Sequence, residues 1–316
     1  MTIDIVCAEA IDFDELVWLQ RDSFEGSAWS TLLDAVQTAD YYHWKYFPAC
    51  GTAKVAQIRN ADGELTAMTA MAPTVLRLGD TIIRGWQACD FASRPTARGK
   101  GWLCLQALTE LIQKGEIFFG YPNADSAPVV SKLGWRTIDT LNIFIGVVPS
   151  LFTRAGVRQV DQFGPSQDDL ARRLADCGRV MIERSSAYMN VRYCSPRRPL
   201  YTCFICEDDG ACEGFIVARQ LEMLGLRVCM IMDCLATSAA SERRLLHACS
   251  SWAWAQGIFV IVVLSNLWRR IGLMRCGLFP FPQQLSPRPL VLMRAAKGST
   301  ALEQKWIANV GDWDVF

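Results

Sequence analysis

Apolar and polar positions alternate through this chain in short blocks that read as strands, interrupted by a few stretches of helical period. Val55–Asn60 and Glu64–Thr74 flank a polar turn at Asp62-Gly63 and predict a β-hairpin. Trp86–Ser93 predicts the next strand. Leu103, Cys104, Ala107, Leu108, Leu111 and Ile112 then recur at helical spacing, with Gln106, Glu110 and Gln113 on the opposite face. Glu116–Tyr121 is nearly all apolar, as a strand covered on both faces would be. Ala124–Leu133 predicts a short helix stopped by Gly134.

The second half follows the same course. Cys203–Glu207 and Gly214–Leu221 predict a hairpin, Arg227–Leu235 a strand, Glu242–Gln256 a helix and Ile258–Leu264 a buried strand. Tyr46 and Tyr193 follow the cations Lys45 and Arg192 at a spacing of 147, and the turn glycines Gly63 and Gly210 keep that spacing. Asp90 and Asp233, Asn123 and Asn266, and Gly134 and Gly277 are then 143 apart, so one four-residue contraction relates all the pairs. The expected fold is α/β (α+β): two tandem domains, 1–150 and 151–316, each a mixed, mostly antiparallel twisted sheet flanked by helices. Ser150–Ser166 reads as the linker, Asp168–Asp176 as a helix, Arg288–Arg294 as a late strand, and Trp306–Phe316 as a docking tail.

Composition narrows the classes. The chain has 316 residues, with 32 basic balanced by 32 acidic, so no overall charge draws it to a nucleic acid. Its 13 cysteines mostly lie in apolar segments of a chain long enough to need no staples, and read as buried free thiols. Cys203-x-x-Cys206 falls in a strand, and no metal site is expected. The N-terminal segment lacks the pattern of a signal peptide, and Ile258–Leu264 is far short of a membrane span. A cytoplasmic protein without a membrane partner is expected.

The stretch with chemical content is Ser93–Trp102, SRPTARGKGW. A strand, a turn holding Gly99 and Gly101, two cations and a helix start form a cradle in which backbone N–H groups approach an anion. Thr96-Ala97-Arg98-Gly99-Lys100-Gly101, the following strand and Gly134-Trp135 together resemble the acyl-CoA N-acyltransferase (GNAT) superfamily, in its Gln/Arg-x-x-Gly-x-Gly/Ala motif. Thr96 stands where the family has Gln or Arg. Tyr41–Tyr46, YYHWKY, is similar to tandem acyltransferases of bacterial sugar and polysaccharide pathways. The resemblance covers residues 40–145.

That resemblance implies an N-acyltransferase, most simply an N-acetyltransferase, using acetyl-CoA or another acyl-CoA as cosubstrate and a primary amine of a small molecule as acceptor. It implies that the amides of Arg98, Gly99, Lys100, Gly101 and Trp102 hold the pyrophosphate. The edge of Phe91, Ala92 and Ser93 would pair with pantetheine, and Asn123 would lie beside it. Both permissive glycines are lost at the equivalent Glu242-Arg243-Arg244, so cofactor is expected in the first half alone. Asp90, Glu25 and His43 are the candidate bases, although Asp233 at the equivalent place argues for a structural aspartate. Val130 stands where relatives carry an acidic tyrosine; Tyr121 and Ser126 lie nearby. Asp312 and Asp314 near the C-terminus are further candidates for the cleft between halves, with a solvated tail as the favoured alternative for both. Trp18, Trp29, Tyr41, Tyr42, Trp44 and Tyr46 suggest stacking on an amino sugar. Two other classes stay open: a non-catalytic acyl-CoA-binding sensor or scaffold, and a transferase using aminoacyl-tRNA. A homo-oligomer is compatible with all of them.

Overall fold

The computed structural model describes residues 2–24, 38–122, 126–148, 156–196, 200–223, 225–266, 273–274, 276–281, 291–296 and 305–312. In chain order the elements are β1 (Asp4–Cys7), α1 (Phe13–Phe24), α2 (Ala39–Tyr46), β2 (Lys54–Arg59), β3 (Leu65–Leu78), β4 (Thr81–Ser93), α3 (Gly101–Glu110), β5 (Ile117–Gly120), α4 (Ala127–Lys132), β6 (Arg136–Thr140) and β7 (Asn142–Gly146). The second half continues with β8 (Val157–Val160), α5 (Pro165–Ala175), β9 (Val180–Ile182), α6 (Ser186–Tyr193), β10 (Tyr201–Asp208), β11 (Ala211–Met223), β12 (Leu226–Ala236), α7 (Ala239–Ala255), β13 (Val260–Ser265), β14 (Leu278–Pro280), β15 (Val291–Ala296) and β16 (Trp306–Ile307).

Local chemistry places most boundaries. Thr38, Ser185 and Ser238 cap α2, α6 and α7, each accepting a hydrogen bond from the amide three residues on. The cap at Ser238 starts α7 three residues before the expected Glu242. β3 and β4 are longer than their patterns suggested because a second hairpin turns at Gly79-Asp80, where Gly79 takes φ +58°. The stretch expected as a linker carries β8, which pairs with β10, and the start of α5. β8 is a short, polar edge strand and leaves no hydrophobic alternation to read.

Two sheets form; the first takes β9, β15 and β16 from the second half, and the second takes β7 from the first. The first runs β1-β2-β3-β4-β5-β15-β6, with β9 attached to β3 and β16 to β9; the second runs β14-β7-β13-β12-β11-β10-β8. Pairing is antiparallel except for β4 with β5, β12 with β13, and β16 with β9. β15 lies between β5 and β6, and β7 lies between β13 and β14. The chain therefore crosses between sheets on either side of residue 150.

Central strands bury both faces. Ile117 and Phe119 of β5 join a core with Phe215, Met230 and Trp306, while Phe118 turns to the opposite face and packs under α3 with Trp135. In the second sheet Cys229 and Ile231 pack against α7. α1 and α2 close a fourth core over Met68, Ala70 and Cys89. This two-sided burial is why these strands read as continuous apolar runs.

Candidate functional site

The site begins where two strands part. β4 and β5 pair in parallel only from Gly85–Ile117 to Gln87–Phe119. β4 continues to Ser93 while β5 ends at Gly120, so beyond Gln87 no strand among the described residues lies along this edge of β4. Within that free length lies a β-bulge. Met68 pairs with Ala92 and Ala70 with Cys89, so Asp90 and Phe91 both oppose Thr69. Asp90 takes φ +51°. Such a bulge bends a strand and re-aims its backbone groups.

Past the fork, the chain makes a short 3-10 turn at Pro95–Ala97 and enters α3. Ser93 Oγ accepts from the Gly101 amide at 3.0 Å, and Thr69 Oγ1 donates to the Gly101 carbonyl at 3.1 Å. The first residue of α3 is thereby seated on β3 and β4 at both its polar groups. Gly101 is buried, with Ser93 Oγ, Phe91 and the Ala92 carbonyl crowding the position a side chain would take. Gly99 has φ +83° and open space around it. Among the described residues no group accepts from the amides of Arg98, Gly99 and Trp102, and all three residues are exposed. The expected set of five amides is thus smaller in this structure, since Gly101 is engaged by Ser93 and Lys100 donates to Ala97.

The candidate bases separate. Asp90 turns its side chain toward α2, where Lys45 Nζ meets Oδ1 at 2.8 Å; the two side chains are 6% and 2% exposed. Lys45 also donates to Tyr41 Oη at 3.3 Å. Asp90 Oδ2 and the hydroxyls of Tyr42 and Tyr46 are buried and, among the described residues, within normal hydrogen-bond geometry of no partner, although the Tyr46 hydroxyl faces the Asp90 carboxylate. Burial, and then the Asp90 charge, push both phenols well above their ordinary range. His43 packs against Phe47 and Phe13 in tilted contacts, and among the described residues no polar contact joins it to Asp90. Glu25 and Asn123 lie outside the described residues, as do Trp29 and Asp314. Val130 is buried in the core under α3.

Lys45 and its tyrosines form the polar side of α2 that faces the bulge; the sequence marks Lys45 only through the repeat and the tyrosines only as stacking groups. Their signal was the i, i+4 spacing of Tyr41 with Lys45 and Tyr42 with Tyr46, which puts each pair on one helix face. The same helix corrects the substrate hint: Tyr41, Tyr42, Trp44 and Tyr46 are all buried and fill a core. Trp18 is half exposed, and the Arg94 guanidinium covers its ring at 3.9 Å.

The second half shows a different outcome at the equivalent place. β12 and β13 also pair in parallel and part, and β12 also bulges, with Met232 the extra residue. There the tail fills the fork. Asn309–Asp312 packs on β12, with Gly311 so close to Met232 and Tyr193 that a side chain would collide. Asp233 Oδ1 accepts from Asn309 Nδ2 at 2.7 Å, and Oδ2 from Arg184 Nε at 3.1 Å. Arg184 is fully buried and grips both oxygens of Asp312 at 2.6 and 2.8 Å. Burial opposes its charge, yet the two carboxylates outweigh that and hold it above the usual arginine range. Gln87 of β4 donates to the Asp312 carbonyl at 2.6 Å, so the tail touches both forks. Between β12 and α7 only Thr237 and Ser238 remain, where the first half has its glycine loop.

No protein-family model matches the sequence, and no curated protein matches it. Solved structures do match in shape. A GCN5-related N-acetyltransferase from Anabaena variabilis superposes with TM-score 0.65 at 13% identity, over 93% of this chain and 72% of its own. The N-myristoyltransferase of Saccharomyces cerevisiae with bound myristoyl-CoA gives 0.61 at 11%, over 98% and 85%. A GCN5-related N-acetyltransferase from Kribbella flavida gives 0.60 at 15%, over 93% and 70%. The protein therefore has the GNAT fold, the one these N-acetyltransferases and N-myristoyltransferases share.

Proposed function

We propose that the protein is an N-acyltransferase that moves an acyl group from acyl-CoA to a primary amine of a small molecule, with the cosubstrate in the first half, 1–150. The observation that supports it is the coincidence of an open β4–β5 fork, a bulge within it, and a glycine turn with unengaged amides at the start of α3. The amides of Arg98, Gly99 and Trp102, helped by the Arg98 and Lys100 charges, suit a diphosphate. The free edge of β4 from Ala88 to Ser93 suits the amides of an extended pantetheine arm, as an added strand would. A β4 amide released by the bulge would donate to the thioester oxygen as negative charge builds there. The neutral amine then attacks the carbonyl carbon. The new C–N bond forms, the C–S bond breaks, solvent takes the amine proton, and the thiolate leaves as CoA. The second half, 151–316, is read as a related unit whose fork is closed by the tail and which shapes the acceptor cleft. With the α2 aromatics buried, nothing singles out an amino sugar among amines.

Thermal stabilisation by a series of acyl-CoAs, followed by release of free CoA thiol over a panel of amines, tests this reading. Gly99→Glu combines backbone strain with a negative charge at the anion site and should abolish the stabilisation, whereas Gly99→Ala should only weaken it. Normal binding by Gly99→Glu would refute the loop assignment, and binding without turnover on any amine would leave a sensor.

A further inference from the structure

One backbone feature of the fork is unusual for a residue inside a strand, even for an aspartate. Asp90 and Asp209 are the two described non-glycine residues with positive φ. Asp209 precedes Gly210 in the β10–β11 hairpin turn, where that conformation is ordinary. Asp90 lies inside a strand, beside Phe91 in the bulge. A residue in the left-handed region persists there only when its surroundings over-determine it.

Those surroundings are on α2. Lys45 reaches across from its helix to Asp90 Oδ1, is oriented by Tyr41, and is almost wholly buried, as is the carboxylate. A buried charge pair of this kind contributes little net stability, and its better-attested use is to specify one arrangement. The equivalent bulge of the second half is also gripped through its aspartate, but by other means. Arg184, Asn309 and Tyr193 hold Asp233, while Arg192, in the place of Lys45, donates to the Gly311 carbonyl and covers Trp44 at 4.6 Å. That fork is closed. The open one has its pin from α2 of its own half, and no part of the described tail bonds to Asp90.

We infer that Lys45 is a positioning residue for acyl transfer: through Asp90 it pins the β4 bulge in its left-handed conformation and so aims the backbone amide that meets the thioester. The inference rests on the acyltransferase reading and adds a residue to it. It also gives Asp90 a role that its orientation suits, because its Oδ1 is held by Lys45 and its Oδ2 is buried. In this role the carboxylate takes no proton from the acceptor.

Two double variants separate the pin from a general base, since both remove the Lys45–Asp90 charge pair together. Lys45→Met with Asp90→Gly permits the left-handed conformation; Lys45→Met with Asp90→Ala opposes it. The alanine pair should lose about 10²-fold in kcat with its acyl-CoA Kd unchanged, because a misaimed group of this size typically costs that much. The glycine pair and the single variant Lys45→Arg should stay within about tenfold of the parent, the strain being relieved in one and the pin kept in the other. Hydrogen exchange over residues 88–93 should quicken in the alanine pair and not in the glycine pair. If both pairs lose about 10²–10⁴-fold, as removal of a general base does, the carboxylate acts directly and the inference is overturned. If the parent turns over no acyl-CoA, the acyltransferase reading fails instead, and the exchange measurement still decides the pin: equal exchange in the two pairs would end it.

Discussion

Tyr42, Tyr46, Tyr188 and Tyr193 are four of the seven tyrosines, and burial raises the pKa of each phenol above its ordinary value. Asp90 adds to this at Tyr42 and Tyr46, and Asp233 at Tyr193. A group whose folded pKa is raised contributes stability that is fully present below its unfolded pKa and is lost as pH rises toward the folded one. The unfolded value for tyrosine is about 10, so stability should begin to fall above that pH. An alkaline titration followed by phenolate absorbance should show these four ionising only with loss of the folded circular dichroism signal. Their ionisation on a protein that keeps that signal would contradict the burial of α2 and α6. Arg184 illustrates the complementary case: it is buried between two carboxylates, and its removal would strand both.

At the scale of elements, the join between β4 and α3 is the place where a small change should matter most. A Cβ on Gly101 would stand 2.9 Å from Ser93 Oγ and 3.2 Å from Phe91 Cζ, with the Ala92 carbonyl at 3.4 Å. Gly101→Ala should therefore lift α3 off the strand, cost about 1–3 kcal/mol as overpacking does, and raise the acyl-CoA Kd. Gly99→Ala meets no atom within 4 Å, so its cost is left-handed strain, about 1–2 kcal/mol. Urea denaturation with calorimetric titration of acetyl-CoA checks both, and an unperturbed Gly101→Ala would show that the helix start is loosely seated. The matching join in the second half has no glycine loop, because Ser238 caps α7 immediately after β12. Thr237 alone separates β12 from that cap.

Across the whole molecule, the two halves are tied by exchange. β15 supplies the strand between β5 and β6, and β7 supplies the strand between β13 and β14. The tail then links Gln87 of one sheet to Asp233 of the other through Asp312 and Arg184. α2 and α6 touch as well, with Trp44 Nε1 donating to the Val191 carbonyl at 2.9 Å. Residues 1–150 alone would leave β5 and β6 with open edges, which pair indiscriminately. Expressed separately, the halves should aggregate; co-expressed, they should elute together at the size of the intact chain in gel filtration. A stable monomeric 1–150 fragment would mean that the exchange is dispensable.

The hairpins, the buried strands and the glycine loop were legible because each is dictated by neighbours in sequence: alternation, turn residues and helix period act over a few positions. The bulge at Asp90, its pin at Lys45, the strand exchange and the closed second fork were not. Each pairs residues far apart along the chain, such as Gln87 and Asp312 at a separation of 225. Local propensity cannot rank such partners, since the energy that selects them is gained only when two buried surfaces meet and exclude water.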